Sequence, residues 1–325
     1  MYSVDIQIVS WNSMEFLPSC LSSVYNQDYP EYRVVIIDNA SRDGTLEFLN
    51  DNYPGITVIP NTDNLGFSAA HNIAIRQSLS DCILVLNPDV FLSSNYVSQA
   101  ISCFVDSSVG TVAGKIYSAS RADFISRCFE SNKKLDCTGL EILRSRRLVL
   151  RGHQSMDSMH FDQPTEVFGS DGAAPLYRRA MLEDVKIGNE YFDEDFFAYK
   201  EDHDIAWRSR LLGWKTIYMP RSIAYHVRSV KPGIRLEIKD EIRRFGIRNR
   251  YLMNIKNEIF ALFLRDIVPI LLYEFKIALY VMLFERGSLA GYYQALMLLP
   301  RMLQKRKIVM SRRRVATQEI ARWIR

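Results

Sequence analysis

At 325 residues, 48% apolar and 24% charged, the sequence has the composition of a globular protein of about two domains, which excludes a disordered or low-complexity chain. Five cysteines without a CxxC pair exclude a disulfide framework and a cysteine zinc site. Net charge is only +4, but from Ile234 onward 19 Lys+Arg face 8 Asp+Glu, so a C-terminal part at +11 follows an N-terminal part at −7, which suggests a basic region meeting an anionic surface.

Reduced thiols and an N-terminus that enters an apolar strand almost at once, with no basic n-region, make a cytoplasmic location the expectation. That strand is Val4 to Val9, ending at Ser10-Trp11-Asn12. Helical spacing over Met14 to Tyr25 follows, with Phe16, Leu17, Leu21 and Val24 on one stripe. Arg33 to Ile37 is a second strand, closed by Asp38-Asn39. Thr45 to Asn50 starts a helix and Ile56 to Ile59 is a third strand. Asn64-Leu65-Gly66-Phe67 turns into a helix over Ser68 to Ser78. Cys82 to Leu86 is five apolar residues long, as in a strand buried on both faces, and stops at Asn87-Pro88-Asp89 because Pro88 cannot continue a central ladder. Alternation at this spacing predicts an α/β fold, a mostly parallel sheet with helices on both faces.

Asn12, Asp38 with Asn39, and Asp89 each follow an apolar strand, and in a parallel sheet those ends share the edge where ligands bind. Each alone is also an ordinary turn former. Here the motifs resemble a known family. Val9-Ser10-Trp11-Asn12, Asp38-Asn39-Ala40-Ser41-Arg42-Asp43-Gly44, Asn64-Leu65-Gly66-Phe67 with His71-Asn72, and Asn87-Pro88-Asp89 occur in the order seen in inverting family 2 glycosyltransferases, with spellings closest to the rhamnosyltransferase-like branch. The resemblance implies a GT-A fold over residues 1–230, Rossmann-like, with a nucleotide-sugar donor. It implies that Asp38 meets the N3–H of a uracil or thymine, that Ser10, Asn12 and Asn39 line the nucleotide pocket, and that Gly66 permits a close backbone approach. His71 and Asn72 would lie near the sugar diphosphate, with Asp89 the last acid of an Asp-x-Asp metal motif for Mg²⁺ or Mn²⁺. Asn87 replaces the first acid; it remains a neutral oxygen donor, but the site then needs another ligand.

Between Gly110 and Phe168 little periodicity is visible. Arg144, Arg146, Arg147 and Arg151 read as a solvated basic face rather than an acceptor-phosphate contact. Val167 to Arg179 is glycine-rich before an apolar strand; in the family such a stretch, here Asp171, Gly172 and Ala173, helps form the acceptor pocket, although Asp171 also suits a turn. Glu201, Asp202 and Asp204 open a helix, where the macrodipole favours acids, and Asp204 can pair with Arg208 at i,i+4. By resemblance the same residues match the family's E-D-x-D-x-x-x-R base motif. Asp202 would then be the general base, with Glu201 the less favoured one and Asp204 and Arg208 as supports. His226 follows the strand Lys215 to Met219; a lone histidine there is usually structural, but in the family it can complete the metal shell.

From Ile234 the pattern is helical and basic, making residues 231–325 an amphipathic region for membrane association or oligomer packing. The longest uncharged stretch, Gly287 to Pro300, falls short of a bilayer, and Pro269, Gly287, Gly291 and Pro300 are expected to break the apolar run, so helices lying in an anionic interface are expected rather than a span. The nine Lys+Arg of Arg301 to Arg325 would add electrostatic attraction. No nucleic-acid module is recognisable. The expected activity is metal-dependent inverting transfer of a sugar, L-rhamnose from dTDP-rhamnose in the first instance, to a lipid-linked saccharide at the inner face of the cell membrane. The alternatives are galactofuranosyl, glucosyl or N-acetylhexosaminyl transfer from a UDP-sugar, or an inactive membrane scaffold.

Overall fold

The computed structural model describes residues 1–129, 133–228 and 240–325. Its strands are β1 (Val4–Ser10), β2 (Tyr32–Asp38), β3 (Thr57–Pro60), β4 (Cys82–Leu86), β5 (Val90–Leu92), β6 (Val109–Ser118), β7 (Leu135–Cys137), β8 (Leu140–Ile142), β9 (Leu148–Leu150), β10 (Thr165–Val167), β11 (Leu176–Arg178) and β12 (Lys215–His226). The main sheet runs β10-β12-β6-β11-β4-β1-β2-β3, with β5 on β12 and β7 on β6. β1, β2, β3 and β4 are parallel neighbours, and β12 runs parallel to β6; β11 is the antiparallel strand between them. All five residues of β4 are buried, as a strand flanked by β1 and β11 and covered on both faces requires.

The early helices are α1 (Leu17–Tyr25), α2 (Thr45–Asn52), α3 (Gly66–Gln77), α4 (Tyr96–Ser102), α5 (Arg121–Ser126), α6 (Arg179–Val185) and α7 (Glu201–Leu211). α1 starts three residues later than the apolar stripe suggests, because Pro18 belongs in a first turn. β12 does not end at Pro220 as expected. It continues to His226 through a register shift between Met219 and Ile223, which accommodates a residue without an N–H.

The C-terminal helices are α8 (Asp240–Asn257), α9 (Phe260–Arg265), α10 (Ile267–Phe284), α11 (Leu289–Met297), α12 (Leu299–Ser311) and α13 (Thr317–Ala321). The division expected at residue 230 falls outside the described residues. These helices share one hydrophobic core with the catalytic region: Trp207 and Leu211 of α7 and Phe196 pack with Leu252, Met253, Leu262, Met302 and Val309. Pro269 does not break α10; it occupies the first turn, where its missing N–H costs no hydrogen bond. α10 is 18 residues long, with mean hydropathy 1.9 and only 11% of it buried, so it is long and apolar enough to cross a membrane by length and composition.

Candidate functional site

Parallel pairing sets Ser10 opposite Asp38, so the ends of β1 and β2 meet. Both are buried. Asp38 accepts from the Ser41 amide at 3.0 Å through Oδ2, while Oδ1, like the Ser10 hydroxyl, has no partner among the described residues. A buried carboxylate oxygen with nothing to accept is open to an N–H donor from a ligand. Asn12, at φ 52°, ties the same edge together by accepting from the Arg42 amide at 2.8 Å.

Of the residues implied as ligand contacts, Asn39, Gly66 and Asn72 are engaged by the scaffold, while His71 is buried with neither ring nitrogen partnered among the described residues. Asn39 donates to Asn64 Oδ1 and the Gly66 carbonyl and accepts from Asn61. Gly66 does bring backbone close, but the approaching atom is the Phe197 carbonyl; a Cβ there would meet it at 2.5 Å. Asn72 accepts from the Tyr191 and Phe192 amides and donates to the Phe192 carbonyl, clamping the turn before the base motif. His71 is fully buried beside Phe67 and Phe192, and burial pulls its pKa down to about 3.

The base motif lies at the other side of the edge. Asp202 Oδ2 accepts from the Gly172 amide at 3.0 Å and Oδ1 from the His203 amide at 2.8 Å. Glu201 is buried, and burial followed by the Asp202 charge raises its pKa well above the usual range. Asp204 and Arg208 form a buried pair at 2.9 Å, and Arg208 donates to the Val185 and Tyr191 carbonyls. The loop entering this helix is strained: Phe197, Tyr199 and Lys200 all have positive φ, at 60°, 69° and 71°.

Sequence reasoning missed what holds that loop. Asn249 of α8 donates to the carbonyls of Phe196, Ala198 and Tyr199, at 2.9, 2.8 and 2.7 Å. Lys256 of α8 pairs with Asp193 and, at 2.9 Å, with Asp204; Asn257 donates to Asp204 at 2.7 Å, and Lys305 of α12 reaches Asp193 at 2.5 Å. They lie on helices rich in polar and charged residues, where nothing in the sequence sets them apart from solvent-facing ones.

Asp89 and His226 do come together. His226 Nε2 lies 3.4 Å from Asp89 Oδ1, because β5, which follows Asp89, pairs with the end of β12. Its Nδ1 is held at 2.9 Å by Asp136 of β7, a residue the sequence did not mark, which in turn takes Arg228 at 2.5 Å. Burial alone would lower the His226 pKa, but Asp89 and then Asp136 push it up to about 10; burial raises that of Asp171 to about 6. Asp136, Asp171 and His226 can offer ligand atoms within 4.8 Å of one another. With Nδ1 engaged by Asp136, the nitrogen free for an ion is Nε2, on the Asp89 side, and a carboxylate behind a ligating imidazole is the usual support of a metal site. The donor set fits a divalent cation. Arg146, expected on a solvated face, is instead buried against Glu258 and Asp266.

One cavity of about 810 Å³ joins these parts: Asn87, Asp171, Gly172, Ala173, Asp202 and His226 all line it. The sequence matches Glycosyl transferase family 2 over residues 5–185. The chain belongs to that family. An N-acetylglucosaminyltransferase of Rhizobium sp. (strain N33) is 26% identical over 243 residues, 69% of this chain and 48% of the relative; the chain spans about half the length of the curated relatives it matches first. GalNAc-T7, solved with UDP, GalNAc and Mn²⁺, aligns with TM-score 0.61 at 13% identity, over 79% of this chain and 48% of that one. Residues 1–349 of S. aureus TarS, solved with UDP-GlcNAc, align with TM-score 0.52 at 15% identity, over 95% and 83%. The fold is GT-A.

Proposed function

We propose that this glycosyltransferase moves a sugar from a pyrimidine nucleoside diphosphate to a hydroxyl of a lipid-linked saccharide, inverting the anomeric centre, at the inner face of the cell membrane. The observation that carries the reading is the shared cavity, with Asp202 on one wall and Asn87 and His226 on another. The acceptor hydroxyl gives its proton to Asp202 as its oxygen bonds to the anomeric carbon, and the bond to the diphosphate oxygen breaks with its electron pair leaving on the nucleotide. A positioned carboxylate in this role contributes on the order of 10²–10⁴-fold. Asp89 and His226, with Asn87, would hold a Mg²⁺ or Mn²⁺, which when bound offsets the charge growing on the leaving diphosphate. The free Asp38 Oδ1 suits the N3–H that uracil and thymine share.

Two donors lead. The relatives' names favour UDP-N-acetylglucosamine, while the spellings Asp38-Asn39-Ala40-Ser41 and Asn87-Pro88-Asp89 favour dTDP-L-rhamnose. The membrane arm rests on α10, whose Leu271, Leu272, Phe275 and Leu283 are 57 to 66% exposed. Hydrolysis and transfer from a panel of UDP- and dTDP-sugars, with Mn²⁺ and with EDTA, tests the reading. Turnover of one donor that depends on the ion supports it. Binding of UDP or dTDP with no turnover of any donor would leave the inactive scaffold that Asn87 favours.

A further inference from the structure

The outer wall of the catalytic cavity comes from α8, α10 and the segment after β8, and sugar transfer alone gives it no task. Arg147, Lys200, Arg243 and Lys276 line it together with Tyr273 and Tyr280. Cations outnumber the acids available to them. Glu274 is taken by Arg250, at 2.5 and 2.8 Å, and by Tyr251, while Asp240 is taken by Arg243. Arg147 and Lys276 are exposed to the cavity with no carboxylate partner among the described residues, and the Arg243 Nε is buried with none. Lys200 feels the excess: burial first and then Arg250 draw its pKa down to about 8 against the pull of Asp202, with Arg147 adding less.

α10 is the boundary of this wall and has two faces. Tyr273, Lys276, Ile277 and Tyr280, spaced i, i+3, i+4 and i+7, face the cavity. Leu271, Phe275, Leu279 and Leu283 form the exposed stripe, 42 to 66% accessible. An anion seated at Lys276 therefore lies within one helix diameter of an apolar surface and opens onto the cavity that holds Asp202.

We infer that this wall binds the phosphate of an acceptor carried on an isoprenoid diphosphate, with the hydrocarbon leaving along the exposed stripe of α10 and the saccharide reaching Asp202. The inference rests on the lipid-linked acceptor proposed above and adds which residues meet the phosphate. Two phosphates on one chain satisfy several cations at once, and charge-assisted contacts of this kind are the strong ones.

The test is equilibrium binding of farnesyl diphosphate to the full chain, with saturating UDP and Mn²⁺ so that the donor site is filled. Farnesyl diphosphate should bind at least tenfold more tightly than farnesol or inorganic pyrophosphate. The double variant R147E/K276E should lose at least tenfold of that affinity while keeping its melting temperature and its UDP affinity; the neutral K276Q, which adds no repulsion, should lose part of it. Equal binding of farnesol would reduce the wall to a greasy patch and overturn the inference. So would an unchanged double variant, or equal competition from phosphatidylglycerol micelles, which would make it a general anionic-surface contact. The lipid-linked reading fails separately, if the wild-type protein transfers only to water-soluble acceptors.

Discussion

Both oxygens of Asp202 are oriented by backbone amides, those of Gly172 and His203, so the carboxylate is held in place. Asp202→Asn can keep only one of those two acceptor contacts, because its amide nitrogen cannot accept from an N–H, and it cannot take a proton. Transfer should fall by about 10³-fold or more while UDP affinity, measured by calorimetry, changes less than about twofold. His71 gives a pH-dependent prediction. Its folded pKa of about 3 lies below the ordinary 6.5, so the unfolded chain binds the extra proton: this stability is fully present above pH 6.5 and is lost as pH falls toward 3. At 1.36 kcal/mol per pH unit, the drop in unfolding free energy between pH 7 and 5 should be about 2 kcal/mol smaller in His71→Leu, read from urea denaturation. The residues legible from sequence were those set directly after an apolar strand, Asp38 and Asp89 among them. Asp136 was not legible, because β7 is three residues long and shows no period, and because its partner His226 lies 90 positions away. Nor could sequence tell that Asn72 bonds to the protein itself; a polar side chain looks the same whether its donor comes from a turn or from a sugar.

Among the elements, the first four strands were readable because each is a short run that is apolar or alternates apolar with polar and has a turn signal after it, and their helices because of their apolar spacing. The strands from β6 to β10 were not: β7 to β10 are each only three residues long, and β10 finds its partner in β12, remote in the chain. α8 carries the least visible information. Its Asn249 spends one side-chain amide on three carbonyls of a loop whose backbone would otherwise relax, and so fixes where the base helix begins. Asn249→Ala should destabilise the fold by about 1–3 kcal/mol through the unmet buried carbonyls. It should also lower kcat at least tenfold at unchanged UDP affinity, because a displacement of about 1 Å at a base can cost 10²-fold. Loss of stability with full kcat would show that the loop holds its shape unaided.

Over the whole molecule, the opposed charges of the two halves face one another. Arg301 and Lys305 meet Glu190 and Asp195, Arg312 and Arg314 meet Asp184, and Arg325 meets Glu141. The basic tail, expected from sequence to serve an anionic leaflet, is thus largely engaged by the catalytic half, and the exposed stripe of α10 is the better candidate for the membrane. Phe275→Glu with Leu279→Glu should abolish flotation with anionic vesicles at unchanged melting temperature. Lys305→Met, by contrast, should cost about 3–5 kcal/mol of stability, since it strips a buried cation from Asp193, whose pKa burial alone would raise but Lys256 and Lys305 hold well below the usual range.

That buried cluster also sets a timetable for biosynthesis. Asp193 and Lys305 are 112 positions apart, so at 5–20 residues per second the acid precedes its lysine by roughly 6–22 s on the ribosome. Lys256 follows Asp193 by only 63 positions, so for the later part of that interval the buried acid has one of its two lysines and lacks the other. A chain cut between Lys256 and Lys305 would carry every motif of the site yet leave Asp193 short of a buried cation, and should be less stable than the full chain.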